Sequence, residues 1–262
     1  MLLNPVPEDQ ARFKRPQFKY IPETQVPRRE MLYTYLLTDL ATTFNEDSDG
    51  QCLIVVGRDA TGRDYVLDLV WKRMSPNDAI DALFEMYVAW GCRHALLEKS
   101  IFSDLYQGMI EHVSIERQIR IRIITVMGRT TESKEHRIDS LDIPMSGGTL
   151  FWSSHIRPEY IRLNPADQQC YGEVCDQFLN FPRGRNDDIP DALSDLYKTD
   201  RKGSPLCPRP RAAVMANRQA QAPRTVNGRI VPGARRPGGD LWGNLRKQVQ
   251  SGTGGIYGPG RG

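Results

Sequence analysis

The sequence predicts an α/β fold in which a mixed β-sheet carries helices on both faces. Three observations predict it. The first three regular segments are β-prone, and two of them flank a turn short enough for a hairpin. From residue 75 onward, helical and strand-like runs alternate. The first of those helices carries a single apolar face, as a helix lying on a sheet must. Three strands able to pair antiparallel, followed by strand–helix alternation, give an antiparallel meander extended by parallel strands.

Taken in order, residues 1–30 are proline-rich, lack periodicity and read as an extended lead-in. Met31 to Leu40 is a nearly continuous β-prone run. Gln51 to Arg58 and Asp64 to Trp71 form a hairpin across Asp59-Ala60-Thr61-Gly62-Arg63. A helix starts at Ser75-Pro76, with Ser as N-cap and Pro at the first helical position. Its apolar face is Ala79, Ile80, Leu83, Phe84, Tyr87 and Val88, and Gly91 stops it. A strand from Arg93 to Glu98, a helix from Phe102 to His112, a strand from Arg120 to Met127 and a helix from Glu132 to Leu141 follow. Thr149 to Trp152 is a short strand, and Asp167 to Asn180 and Asp187 to Tyr197 are the last two helices.

Charge divides the chain differently from its modest overall balance of +3. Residues 201–262 hold twelve of the 35 Lys/Arg and only one acid, Asp240, which leaves 23 basic and 31 acidic residues in positions 1–200. An acidic body with a basic tail reads as two functional parts. The tail has twelve Gly and seven Pro beyond Lys202 and is expected to be disordered, with Asp240-Leu241-Trp242-Gly243-Asn244-Leu245 its one apolar island. The domain reading is therefore 1–30 lead-in, 31–200 folded domain and 201–262 tail. Cys52, Cys92, Cys170, Cys175 and Cys207 form no Cys-x-x-Cys pair and no zinc spacing with the four histidines, and Cys52 and Cys92 read as small buried thiols. There is no signal peptide and no apolar run near 18 residues, so a soluble protein in a reducing cytoplasm is expected, without membrane contact.

The chemistry concentrates in carboxylates. Asn186-Asp187-Asp188-Ile189-Pro190-Asp191 places three Asp within five residues at a helix start. Such crowding is costly unless a cation neutralises it. An acidic helix N-terminus complementing the macrodipole accounts for one or two of them, less easily for three. Asp187 and Asp191 share a helix face at i,i+4, with Asp188 and Asp191 at i,i+3 the alternative, and Asp195 reads as solvated. Asp39 and Glu98 each close an apolar strand, and those two strands are expected to be sheet neighbours. Singly, Asp39 is better explained as a helix- or turn-capping residue and Glu98 as a salt-bridged or solvated rim residue. Together they suggest an oxygen-only cage suited to Mg²⁺ or Mn²⁺, with two ions roughly 3.5–4 Å apart and Asp39 bridging them. No phosphate loop, G-x-S-x-G, H-E-x-x-H or G-x-G-x-x-G motif competes with this reading.

Asn4-Pro5-Val6-Pro7, Thr38-Asp39-Leu40-Ala41, Tyr65-Val66-Leu67-Asp68, Ser75-Pro76, Leu97-Glu98-Lys99-Ser100, Lys134-Glu135-His136-Arg137-Ile138, and Phe181-Pro182-Arg183-Gly184 through Asp191-Ala192-Leu193 stand in this order. The set resembles the nuclease domain of tailed-phage terminase large subunits across about residues 1–198. The resemblance implies a ribonuclease H-like fold and a metal-dependent endonuclease that cuts double-stranded viral DNA during packaging. It implies catalytic Asp39, Glu98 and Asp191, and metal ligands drawn from Asp39, Glu98, Asp187, Asp188 and Asp191. Implied partners are double-stranded DNA, the portal protein, the small terminase subunit and a separate ATPase domain, in the cytoplasm of a bacterial host. Leu40 stands where the family often has Pro, and Asn186 where it often has His. Lacking a phosphate loop, this polypeptide is not expected to hydrolyse ATP.

Lys134 and Arg137, three apart on one helix face and near Arg129, are candidates for DNA backbone contact, with a solvated face as the alternative. The tail would add DNA affinity or dock a partner through Trp242 and Leu245. Two further functions fit the same residues: a junction resolvase or transposase-like nuclease of this fold, and a non-catalytic packaging or portal-binding module with structural acids.

Overall fold

A computed structural model describes residues 11–40, 50–98, 103–126 and 133–211. Its centre is a seven-stranded sheet in the order β1-β7-β4-β3-β2-β5-β6. The strands are β1 (Lys19–Ile21), β2 (Tyr33–Asp39), β3 (Gln51–Arg58), β4 (Asp64–Lys72), β5 (His94–Glu98), β6 (Ile123–Val126) and β7 (Leu150–Ser153). β2, β3 and β4 form the antiparallel meander. β5 then pairs parallel with β2, and β6 parallel with β5. This is the expected mixed arrangement, three antiparallel strands extended by parallel ones.

Side-chain alternation along the central strands explains the layers. On β2 and β3, Tyr35, Leu37, Cys52, Ile54 and Val56 face one core, shared with Phe178, Ile189 and Leu193 from α5 (Glu173–Asn180) and α6 (Asp188–Ser194). Leu36, Leu53 and Val55 face the other, shared with α1 (Pro76–Trp90) and α2 (Ser103–Arg117). β3 is buried along its whole length, which is why it reads as a continuous apolar run. α1 begins as expected: the Ser75 hydroxyl accepts from the Asp78 backbone N–H. It ends at Gly91 in the left-handed region (φ 55°), where an added Cβ would lie 1.6 Å from Arg29 Nη2.

The segment read as an extended lead-in belongs to the sheet. β1 pairs parallel with β7, and Phe13 and Phe18 pack edge-on against Phe178 at 4.9 and 5.6 Å. Each buried ring contributes about 1.5–3 kcal/mol. Short strands and isolated aromatics among prolines carry no periodicity, so this docking left no pattern to read. The helix expected over Glu132 to Leu141 is α3 (Lys134–Asp139), followed by a further short helix, α4 (Asp142–Ser146). The helix expected from Asp167 begins only at Glu173; the residues before it form a two-stranded ribbon, β8 (Arg162–Leu163) with β9 (Cys170–Tyr171).

The body extends beyond residue 200. Asp64 is fully buried and accepts from Arg58 (2.8 and 3.2 Å), Tyr197 Oη (2.9 Å) and Arg209 (3.0 Å). Arg58 also donates to the carbonyls of Leu196 and Cys207, and Tyr35 Oη donates to that of Pro208. A buried carboxylate with three donors drew residues 203–211 into the fold, where composition alone suggested the tail had begun. All five cysteines are free and buried. Among the described residues no helix is long and apolar enough to cross a membrane. Arg129, Trp242 and Leu245 lie outside the described residues.

Removing one member of a buried ion pair strands the other. Asp64→Ala is accordingly expected to lower the unfolding free energy by about 3–5 kcal/mol in urea titrations, and the paired Arg58→Met/Asp64→Leu variant by less.

Candidate metal centre

The parallel register of β2 and β5 sets Thr38 opposite Leu97, so the next residues, Asp39 and Glu98, emerge side by side at the same sheet edge. The Thr38 hydroxyl donates to the Leu96 carbonyl at 2.7 Å and ties the two strands just before that edge. On the other side of Asp39 is Cys52 of β3, fully buried.

α6 brings the remaining acids. Its buried Ile189, Ala192 and Leu193 hold it on the sheet, and the Gln177 side-chain carbonyl accepts from the Ile189 N–H at 2.9 Å, satisfying a donor at the helix start. With that face down, Asp188 and Asp191 turn toward β2. Trp71 Nε1 donates to Asp188 at 2.8 Å. Lys134 reaches both Asp187 (2.7 Å) and Asp191 (3.2 Å), and Arg137 donates to Asp191 at 2.8 Å.

Electrostatics tie these acids into one group. Burial pushes the Asp39 carboxyl well above the usual range, and the charges of Asp191, Asp188 and Glu98 push it further, against the opposing pull of Lys134. The buried Cys52 thiol is raised by burial and then by Asp39, Asp188 and Asp191. Burial alone would lower Lys134, but Asp191 and Asp187 outweigh it and raise the ammonium above its ordinary value.

The fold thus brings together four sequence-predicted acids, Asp39, Glu98, Asp188 and Asp191, with Asp187 at the rim on Lys134. Lys134 and Arg137, expected as DNA backbone contacts, pair with these acids: α3 packs against α6, and both cations meet its carboxylates. Asp195 is not solvated. It is buried, pushed up to about 6 by desolvation despite its pairing with Lys198, and it senses Glu98 and Asp191. Its i,i+4 spacing from Asp191 was the signal for that position. Trp71 carried none, because its bond to Asp188 spans 117 residues.

Among the described residues no three His, Cys, Asp or Glu side chains stand in metal-holding geometry as they are placed. The contacts supply the reason: Lys134 and Arg137 hold Asp187 and Asp191, and Trp71 holds Asp188. The donor chemistry nevertheless fits a hard divalent cation, because the set is all oxygen, mutually repelling, and includes a carboxyl raised by burial and then by its neighbours' charge. Such a cation would compete with Lys134 and Arg137 for the same oxygens.

No protein-family model and no curated protein matches this chain. Several solved structures are similar to it. The human cytomegalovirus terminase nuclease domain shares 15% identity, with 66% of this chain and 84% of that one covered and a TM-score of 0.46. The large terminase nuclease from thermophilic phage G20c with bound magnesium shares 14%, covering 72% and 96%, at 0.40. A yeast mitochondrial Holliday junction resolvase shares 11%, covering 61% and 75%, at 0.37.

A carboxyl whose folded pKa is raised favours the fold below its unfolded pKa and loses that contribution as pH rises through the folded value. Asp39 and Asp195 both have this sign, Asp195 over a window from about 4 to about 6. In chelator the protein is therefore expected to lose stability between these pH values and above. Asp39→Asn should raise the alkaline Tm by roughly 2–4 °C per kcal/mol of relieved repulsion and leave the value at pH 4 little changed, as thermal melts would show.

Proposed function

We propose that this chain is a divalent-metal-dependent endonuclease of the terminase large-subunit type, cutting double-stranded DNA during viral genome packaging. One observation carries the reading: Asp39 from β2 stands beside Glu98 from β5 and within the field of Asp188 and Asp191 from α6, so three separate elements present carboxylates to one point. Like charge gathered at that cost suits a site whose occupant is a cation.

Asp39, Glu98, Asp188 and Asp191 are the residues that would hold Mg²⁺ or Mn²⁺, with Asp187 at the outer edge of the group on Lys134. When bound, a pair of such ions supplies Lewis acidity at the scissile phosphodiester and lowers the pKa of water. The chain's own residues prepare that site. Trp71 orients Asp188, the buried face of α6 fixes its acids relative to β2, and Lys134 and Arg137 keep those acids from driving the strand edge and helix apart. Arg137 Nε is buried without a hydrogen-bond partner among the described residues, and a water would satisfy it. DNA, portal protein and a separate ATPase remain the partners proposed for such an enzyme.

A second reading, a non-catalytic packaging module with structural acids, is favoured by the ion pairs of Lys134 and Arg137, which already balance Asp187 and Asp191. Calorimetric titration with Mn²⁺ separates the two, since only the nuclease reading requires binding that Asp39→Ala and Glu98→Ala each abolish. Supercoiled plasmid with Mn²⁺ is expected to be cut by the wild-type chain and to be cut at least 100-fold more slowly by Asp39→Ala, with the circular dichroism spectrum unchanged; a metal contribution of several kcal/mol implies at least that factor. Undiminished cutting by Asp39→Ala would remove it from the site. Lys134→Met is expected to tighten Mn²⁺ binding by roughly fivefold, the equivalent of about 1 kcal/mol of lost ion pairing with Asp187 and Asp191, in the same titration.

A further inference from the structure

Beside the acids lies a cleft of about 240 Å³, lined by Gly50, Trp71, Lys72, Arg73, Arg185 and Asn186. Three cations converge there from the end of β4 and from the turn before α6, segments more than a hundred residues apart in sequence, and among the described residues no acid lines it. The rest of residues 1–200 is net acidic, so a cationic concavity here reverses the local field.

Two contacts show how the cleft is formed and joined to the acids. Trp71 lines it, and the same indole N–H donates to Asp188, so one side chain separates the cleft from the candidate metal centre. Gly50 lies against that indole, where an added Cβ would approach Nε1 to 2.6 Å, so the absence of a side chain lets the backbone close over the ring. The cleft is smaller than the roughly 300–1,000 Å³ that encloses drug-sized ligands, and its polar, charged lining suits an anionic group of a larger molecule passing across it.

We propose that this cleft seats a backbone phosphate of the DNA next to the one being cut, with Lys72 and Arg185 as positioning residues. The inference rests on the nuclease reading for its substrate and assigns that substrate a path. DNA crosses the acid cluster on the side of β4 and the turn before α6, while Lys134 and Arg137 serve the carboxylates. Lys72 and Arg185 are both exposed, so their replacement leaves the core intact.

The test measures binding of a labelled linear duplex in Ca²⁺ across a salt series, together with steady-state cleavage in Mn²⁺. Lys72→Ala/Arg185→Ala is expected to bind roughly tenfold more weakly, with a log–log salt slope shallower by about two units. Its cleavage loss should fall on KM more than on kcat. Lys72→Arg/Arg185→Lys, which keeps both charges, is expected to restore affinity and slope. Unchanged affinity and slope in the alanine variant, with wild-type cleavage intact, would overturn the cleft assignment and leave the nuclease reading standing. Weakened binding by the alanine variant of a wild-type chain that never cuts would sustain the cleft and remove the enzyme. A wild-type chain that fails to bind duplex overturns both.

Discussion

The parallel pairing of β2 with β5 is the constraint on which this molecule turns. Its register places two carboxylates, Asp39 and Glu98, on adjacent strand ends, and everything around that edge answers the resulting repulsion. α6 adds Asp188 and Asp191, and α3 packs against α6 so that Lys134 and Arg137 meet the added charge. Without those two cations, burial of so many acids would work against the fold; with them, the cluster is held ready but not relaxed. The Asp39 carboxyl, raised by burial and then by the charges around it, records that imbalance.

This arrangement separates stabilising from functional groups by position. The aromatic core of Phe13, Phe18, Trp152 and Phe178 and the buried Arg58–Asp64 pair fix the sheet at a distance from the acids. The acid edge is the part of the molecule where local interactions conflict. Sites that must receive a charged ligand commonly store strain of this kind, and the stability comes from elsewhere in the fold.

Much of this was legible in the sequence because the relevant signals are local or periodic. The hairpin across Asp59–Arg63, the Ser75 cap, the Gly91 stop and the burial of β3 follow from turn chemistry and apolar pattern. The neighbouring of Asp39 and Glu98 followed from strand order alone. What escaped was long-range and aperiodic. Lys134 and Arg137 look like a solvent-facing basic stripe until α6 is set beside them, and Trp71 acquires its role only through Asp188. Asp195 was read from its own helix as solvated, whereas the fold buries it beside Lys198. Residues 11–30 and 203–211 lack regular patterning because they dock through single side chains, Phe13, Phe18, Cys207 and Arg209, rather than through a repeating face.

The anchoring of Arg209 on Asp64 fixes where the chain departs from the sheet. Asp64 pairs with Arg58, which pairs with Tyr33 at the start of β2, whereas Asp39 stands at the end of that strand. Seven residues of extended backbone separate the two poles, about 20 Å at a strand's rise per residue. Arg209 and the described end of the chain thus lie at the pole remote from the carboxylates, so the two ends of one strand carry opposite tasks: a satisfied buried ion pair at one, crowded like charge at the other.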